Sequence, residues 1–244
     1  MPNDTDHVSQ DGHHVASDIS QRLAATLSAI EAARTAAAGA AAEVSLLAVS
    51  KKKPAAAVRS AFAAGQRRFG ENYADEGVAK MLATQDLDIE WHFIGHMQSR
   101  RSRLIAEHFH WAQSVDRLKV AQRLSAQRPD DMAPLEVCIQ YNPDGEVQKG
   151  GVGDVAELEE LAAACESMPG LRLRGLMSIP APRDDHDEQR RIFAHIHEVY
   201  ASLAERHPHV DTLSMGMSGD MRAAIAEGAT MVRIGTAIFG ARDG

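Results

Sequence analysis

Leu46-Leu47-Ala48-Val49-Ser50-Lys51-Lys52-Lys53-Pro54 is a short apolar run that stops abruptly in three lysines and a proline. Read as a strand, alternation puts Leu47, Val49, Lys51 and Lys53 on one side and Leu46, Ala48, Ser50 and Lys52 on the other. Pro54 can open the helix that follows, because the first helical turn has no use for its missing N–H. Lys51 is then expected as the last residue of a buried strand, with its amine at the edge of an apolar interior. Packing alone rarely puts a lysine there. Burial disfavours the ammonium form, and the neutral amine attacks carbonyl carbon, so Lys51 is a candidate for carrying an aldehyde cofactor.

Outward from this strand the chain alternates. A long alanine-rich helix precedes it, from Ala16 to about Ala38, with Ile19, Leu23, Leu27, Ile30 and Ala33 at helical spacing. Further strands are expected at 66–70, 90–95, 110–115, 135–142, 171–179, 212–217 and 231–235. Helical stretches at 55–64, 75–83, 102–107, 118–127, 155–165, 187–205 and 221–227 separate them. Eight strands alternating with helices require a parallel sheet. In a chain of 244 residues they favour a single (β/α)8 TIM barrel with an extra N-terminal helix. No linker interrupts the alternation, so residues 15–244 read as one domain, behind a polar tail at 1–14 expected to be disordered.

Composition narrows the function. The chain is 44% hydrophobic and 25% charged, the profile of a globular protein, with a net charge of −8 that speaks against nucleic-acid or anionic-membrane partners. No run approaches the roughly 18 apolar residues of a membrane span. The polar N-terminus lacks the apolar region of a signal peptide, which points to the cytoplasm. Cys138 and Cys165 fall in apolar stretches without metal spacing and read as reduced core residues. His195 and His197, two apart on a helix, cannot chelate one metal, so no metal site is expected.

In a barrel of this kind chemistry sits at the C-terminal ends of the strands, and the loops after strands seven and eight are the usual phosphate site. Here those loops read Met217-Ser218-Gly219-Asp220 and Ile234-Gly235-Thr236. Ser218 offers a hydroxyl ahead of a helix, and Gly235 lets backbone approach a phosphate closely. Taken alone, Ser218 is more often a plain helix N-cap. Arg233 alternates with Met231 and Gly235 toward the barrel mouth, where it serves either a ligand or an ion pair with Glu71 or Asp116. An amine at the first strand end, a phosphate cradle at the last two and an arginine between them suit pyridoxal 5'-phosphate (PLP).

The same residues resemble a known family. The stretch Leu47 to Lys51 with Lys53-Pro54, then Phe69-Gly70-Glu71-Asn72-Tyr73 and Trp91-His92-Phe93-Ile94-Gly95, are similar to its motifs. So are Leu173-Arg174-Gly175-Leu176-Met177, Leu213-Ser214-Met215-Gly216-Met217-Ser218 and Met231-Val232-Arg233-Ile234-Gly235-Thr236. The family is the pyridoxal phosphate homeostasis proteins. The resemblance implies an alanine-racemase-like barrel (PLP fold type III) without a second domain. It implies a Schiff base between PLP and Lys51, Arg233 facing the pyridine nitrogen, the phosphate on Ser218, Gly235 and Thr236, and Asn72 near the ring. It further implies a cytoplasmic vitamin B6 homeostasis role without catalytic turnover, apo PLP-dependent enzymes as recipients, and a monomer or weak dimer. One departure stands out: Gly95-His96-Met97-Gln98-Ser99-Arg100-Arg101 replaces the Gly-Pro/His-Leu-Gln-Ser-Asn-Lys of many bacterial relatives.

Two other functions compete. A PLP-dependent amino-acid racemase needs acid/base groups on both faces of the ring, and only Tyr73, Tyr141 and Tyr200 are available for the second. The chain is expected to lack the second domain that helps alanine racemase supply one. A cofactor-free Schiff-base aldolase on Lys51 would leave the cradle and Arg233 with only a phosphosugar to hold.

Overall fold

The computed structural model describes residues 7–241. Helix α1 (His7–Ala36) lies ahead of eight strand–helix units: β1 (Ser45–Val49), α2 (Ala55–Ala63), β2 (Arg68–Glu71), α3 (Ala74–Ala83), β3 (Glu90–Phe93), α4 (Ser102–His108), β4 (Trp111–Val115) and α5 (Leu118–Gln127). The second half follows as β5 (Leu135–Tyr141), α6 (Val155–Glu166), β6 (Leu171–Ser178), α7 (His186–Arg206), β7 (Thr212–Ser214), α8 (Met221–Ala226), β8 (Met231–Ile234) and α9 (Thr236–Phe239). All eight strands run parallel in sequence order, and β8 pairs back onto β1 to close the barrel. The expected (β/α)8 barrel with an extra N-terminal helix is the fold. The first helix starts nine residues earlier than Ala16. Residues 1–6 of the expected tail, and 242–244 at the other end, lie outside the described residues.

Strand parity divides the interior into two regions. Leu46, Ala48, Phe69, Trp91, Phe93, Val137, Ile139, Leu176 and Val232 face outward and pack under the helices in one large apolar layer. Trp111, Cys138 and Met177 face inward and form a small separate apolar cluster. The other inward positions include His92, Gln113, Ser214 and Arg233, all buried. The branched aliphatic residues that usually fill such a barrel are thus partly replaced by hydrogen-bonding groups. Helix α1 covers α2, α8 and α9, burying Ile19, Leu23 and Ile30. Asp154 and Asp185 cap α6 and α7 by accepting backbone N–H bonds at 2.8–3.0 Å.

Several strands end earlier than alternation suggested, and two of them bear on the site. Strand β7 stops at Ser214, not Met217, because Gly216 turns the chain at φ 93. Strand β1 stops at Val49, so Lys51 is not its last residue. Lys52 takes a left-handed conformation (φ 60), and Lys51 sits half-buried in the turn that this creates. Pro54 stands at the N-cap of α2.

Candidate functional site

Sequence alternation placed Lys51 on the inward side of β1, and the structure keeps it there. Val49, Lys51 and Lys53 all line a cavity of about 310 Å³ at the C-terminal end of the barrel. Asn72, Ser218, Arg233, Gly235 and Thr236 line the same cavity. Six residues from the ends of β1, β2, β7 and β8 thus converge, as the barrel register requires. β1 and β8 pair with Leu47 opposite Arg233, which sets the lysine turn beside the arginine. Ile94, Ile179 and Phe239 supply apolar walls, the usual composition of a small-molecule site.

The turn that carries Lys51 is clamped from beneath. Lys80, on the buried face of α3, donates to the Ser50 carbonyl at 2.6 Å, to Glu71 Oε1 at 2.7 Å and to Glu76 Oε1 at 2.7 Å. Ser50 Oγ donates to Glu71 Oε1 at 2.5 Å, and the Lys52 N–H donates to Glu76 Oε1 at 2.5 Å. The backbone is therefore gripped on both sides of Lys51. Burial pushes the Glu71 carboxyl up, against the opposing pull of Lys80. Lys53 is tied elsewhere, donating to the Ala241 carbonyl at 2.6 Å.

Arg233 is only 4% exposed. Its Nη1 donates to Ser214 O at 2.7 Å and Ser214 Oγ at 2.9 Å, and its Nη2 donates to Ser178 O at 2.8 Å. The ion pair with Glu71 or Asp116 weighed from the sequence is not what holds it: Glu71 binds Lys80, and Asp116 binds Arg117. Burial lowers the Arg233 pKa to about 10, which still leaves it cationic at neutral pH.

Ser218 lies on the turn between β7 and α8, where Asp220 N–H donates to Met217 O at 3.1 Å and Asp220 Oδ1 accepts from Met217 N–H at 2.6 Å. Asp220, not Ser218, is the N-cap of α8, which removes the helix-cap explanation for the serine. Gly235 follows β8. A side chain there would place Cβ 3.0 Å from the Val49 carbonyl oxygen, so any larger residue would push β8 and β1 apart by a few tenths of an ångström. Asn72 Oδ1 is buried without a hydrogen-bond partner among the described residues. It belongs to a residue that lines the cavity, and a buried acceptor without a partner is the kind of group that a bound polar ligand satisfies.

Lys80, Glu76 and Gln113 are not singled out by the sequence, and Ser214 and Gly95 stand there only within motifs, without a role of their own. A signal for Lys80 exists: it falls with Ala74 and Gly77 on the buried stripe of α3, where an ammonium needs a partner. Gly95 is required because a Cβ would stand 2.0 Å from the Asn72 carbonyl oxygen. The substituted stretch after it keeps Met97 buried and pairs Arg101 with Asp75 at 2.9 Å.

Residues 23–243 match the family model of the alanine racemase N-terminal domain. The chain is 54% identical over 229 residues to the pyridoxal phosphate homeostasis protein of Escherichia coli (strain K12), covering 93% of this chain and 97% of that one. The Pseudomonas aeruginosa protein of the same name is 53% identical over 227 residues, with the same coverage of each chain. PipY of Synechococcus elongatus, solved with PLP bound, superposes with a TM-score of 0.78 at 37% identity, over 91% of this chain and 100% of that one. The chain belongs to the pyridoxal phosphate homeostasis protein family, on the barrel of the alanine racemase N-terminal domain.

Proposed function

We propose that this protein binds PLP in the cavity at the C-terminal end of its barrel and serves intracellular PLP homeostasis, holding the cofactor rather than turning over a substrate. The observation that carries the reading is convergence. Lys51, Asn72, Ser218, Arg233, Gly235 and Thr236 line one cavity, and Asn72 carries a buried acceptor without a partner among the described residues. PipY, its relative at 37% identity, was solved with PLP.

The division of labour follows from chemistry. PLP brings an electrophilic aldehyde, a pyridine nitrogen and a dianionic phosphate. The Lys51 amine is the nucleophile for the aldehyde, held in place by the Lys80–Glu71–Glu76 clamp. Arg233 donates to the pyridine nitrogen and keeps it unprotonated, because a guanidinium has no proton to release near neutrality. That weakens the ring as an electron sink. Ser218, Gly235 and Thr236 receive the phosphate, and Asn72 meets the ring substituents.

Turnover as a racemase would need a second acid/base group at the cavity. Tyr73 is 52% exposed, Tyr141 is hydrogen-bonded to His195 at 2.9 Å, and Tyr200 packs on His197. None of the three lines the cavity. Borohydride reduction of PLP-loaded protein, followed by peptide mapping, is expected to find the pyridoxyl group on Lys51. Protein that takes up no PLP, or label on another lysine, would overturn the site. Sustained inversion of any single amino-acid enantiomer would overturn the non-catalytic role.

A further inference from the structure

Arg233 is the end of a chain of buried side chains that crosses the barrel. A guanidinium can only donate, so Ser214 Oγ must accept from Nη1. The Ser214 hydroxyl hydrogen is then left for Gln113 Oε1, 2.7 Å away. That fixes the Gln113 amide, whose Nε2 donates to His92 Nδ1 at 2.9 Å and touches Met231 Sδ at 3.2 Å. With Nδ1 accepting, the proton of the neutral imidazole belongs on Nε2, which stands 2.8 Å from Glu90 Oε1. An ionised carboxylate can only accept. An obligate donor at one end and an obligate acceptor at the other leave one direction for every bond between them.

The chain draws on β8, β7, β4 and β3, and its three linking side chains are fully buried or nearly so. Trp111 stacks on the His92 ring at 5.1 Å and 15°, which holds the ring plane. At the far end Arg68 pairs with Glu90 at 3.0 Å, at the opposite mouth of the barrel. Aligned hydrogen bonds in a low-dielectric interior polarise one another, so each is stronger than it would be alone.

We propose that Ser214 and Gln113 are positioning residues for Arg233: the one-way chain through His92 to Glu90 holds the guanidinium in the orientation it presents to the cavity. The proposal rests on the reading of the cavity as a PLP site. Cutting the chain removes one of the three bonds that orient the guanidinium, leaving those to the Ser214 and Ser178 main-chain oxygens, without touching any cavity-lining residue.

Ser214→Thr and Ser214→Val add similar bulk at one buried position and differ in the hydroxyl. In full-length protein, Ser214→Val is expected to bind PLP roughly tenfold more weakly than Ser214→Thr, the size of one hydrogen bond to a charged group, and to shift the absorption band of the bound cofactor. Gln113→Met is expected to do the same, and the double variant Ser214→Val/Gln113→Met to lose little more than either alone. Should these fold poorly, Glu90→Gln keeps the acceptor and removes only the charge, and it is expected to fall between wild type and Ser214→Val. Nitrogen NMR of the PLP-free protein is expected to find His92 protonated on Nε2 alone. Equal affinities and bands for Ser214→Val and Ser214→Thr, or a His92 proton on Nδ1, would overturn the proposal. Wild-type protein that takes up no PLP would overturn the site reading instead, and the His92 tautomer, read without PLP, still reports whether the chain exists.

Discussion

Lys80 Nζ stands 2.6 Å from the main-chain oxygen of Ser50, so a buried ammonium grips the backbone immediately before Lys51. Its charge is met by Glu71, which is fully buried, and by Glu76, which reaches the surface. The Lys51 turn is therefore held by an ionic cluster on β2 and α3, not by its own strand.

Glu76→Ala removes the acceptor for the Lys52 N–H and one of three oxygens around Lys80. It is expected to destabilise the protein by about 1–2 kcal/mol and to slow PLP capture at Lys51. Urea denaturation and stopped-flow PLP binding check both halves; unchanged capture would mean the turn holds itself.

Lys80→Met leaves Glu71 buried without its cation, and the expected loss is about 3–5 kcal/mol. Glu71 already has a raised pKa from burial, and losing Lys80 pushes it higher. A carboxyl whose folded pKa exceeds its unfolded value costs nothing below about 4.5 and progressively more as pH rises. The variant is therefore expected to approach wild-type stability in acid and to fall away toward neutral pH. Adding Glu71→Gln should flatten that dependence.

Glu90 behaves in the opposite sense. Burial works against its ionisation, but His92 and Arg68 outweigh it and bring its pKa from 4.5 to about 2. Its stabilising contribution is present above 4.5 and is lost as pH falls toward 2. Urea midpoints measured across that window are expected to fall more steeply for wild type than for Glu90→Gln.

Gly95→Ala would drive Cβ to 2.0 Å from the Asn72 carbonyl, so the β2 and β3 loops must part. A loss of about 1–3 kcal/mol is expected, together with weakened PLP binding because Asn72 lines the cavity. Thermal unfolding and PLP titration measure the two effects.

Arg233→Ala and Lys53→Ala separate the two cations that line the cavity beside Lys51. Lys53 is committed to the Ala241 carbonyl, whereas Arg233 is buried among main-chain oxygens. PLP retained after gel filtration is expected to drop by roughly tenfold or more for Arg233→Ala and only slightly for Lys53→Ala. Equal losses would mean that the ring partner is wrongly assigned.

Much of the site was readable in the chain because parallel strands obey a period of two and barrel chemistry gathers at one end of them. Counting parity from Leu47 brought Lys51 inward, and counting from Met231 did the same for Arg233. The same count places His92, Gln113 and Ser214 inside, where a polar side chain needs a partner, but it does not say which partner. Strand ends were less legible. Lys51 left β1 because Glu76 and Lys80, about 25 to 30 residues later, claim the backbone beside it.

The sequence by itself determined the barrel, its closure and the list of groups at its mouth, since strand–helix alternation and side-chain parity are local properties of the chain. Tertiary structure alone decided who holds whom. Ser218 proved not to be a helix cap, Glu71 turned to Lys80 instead of Arg233, and the arginine came to rest on a line of hydrogen bonds ending at Glu90. The reason is physical: a buried charge takes whatever partner the folded neighbourhood offers, and closing a barrel brings together residues that lie more than a hundred positions apart, as Gln113 and Ser214 do.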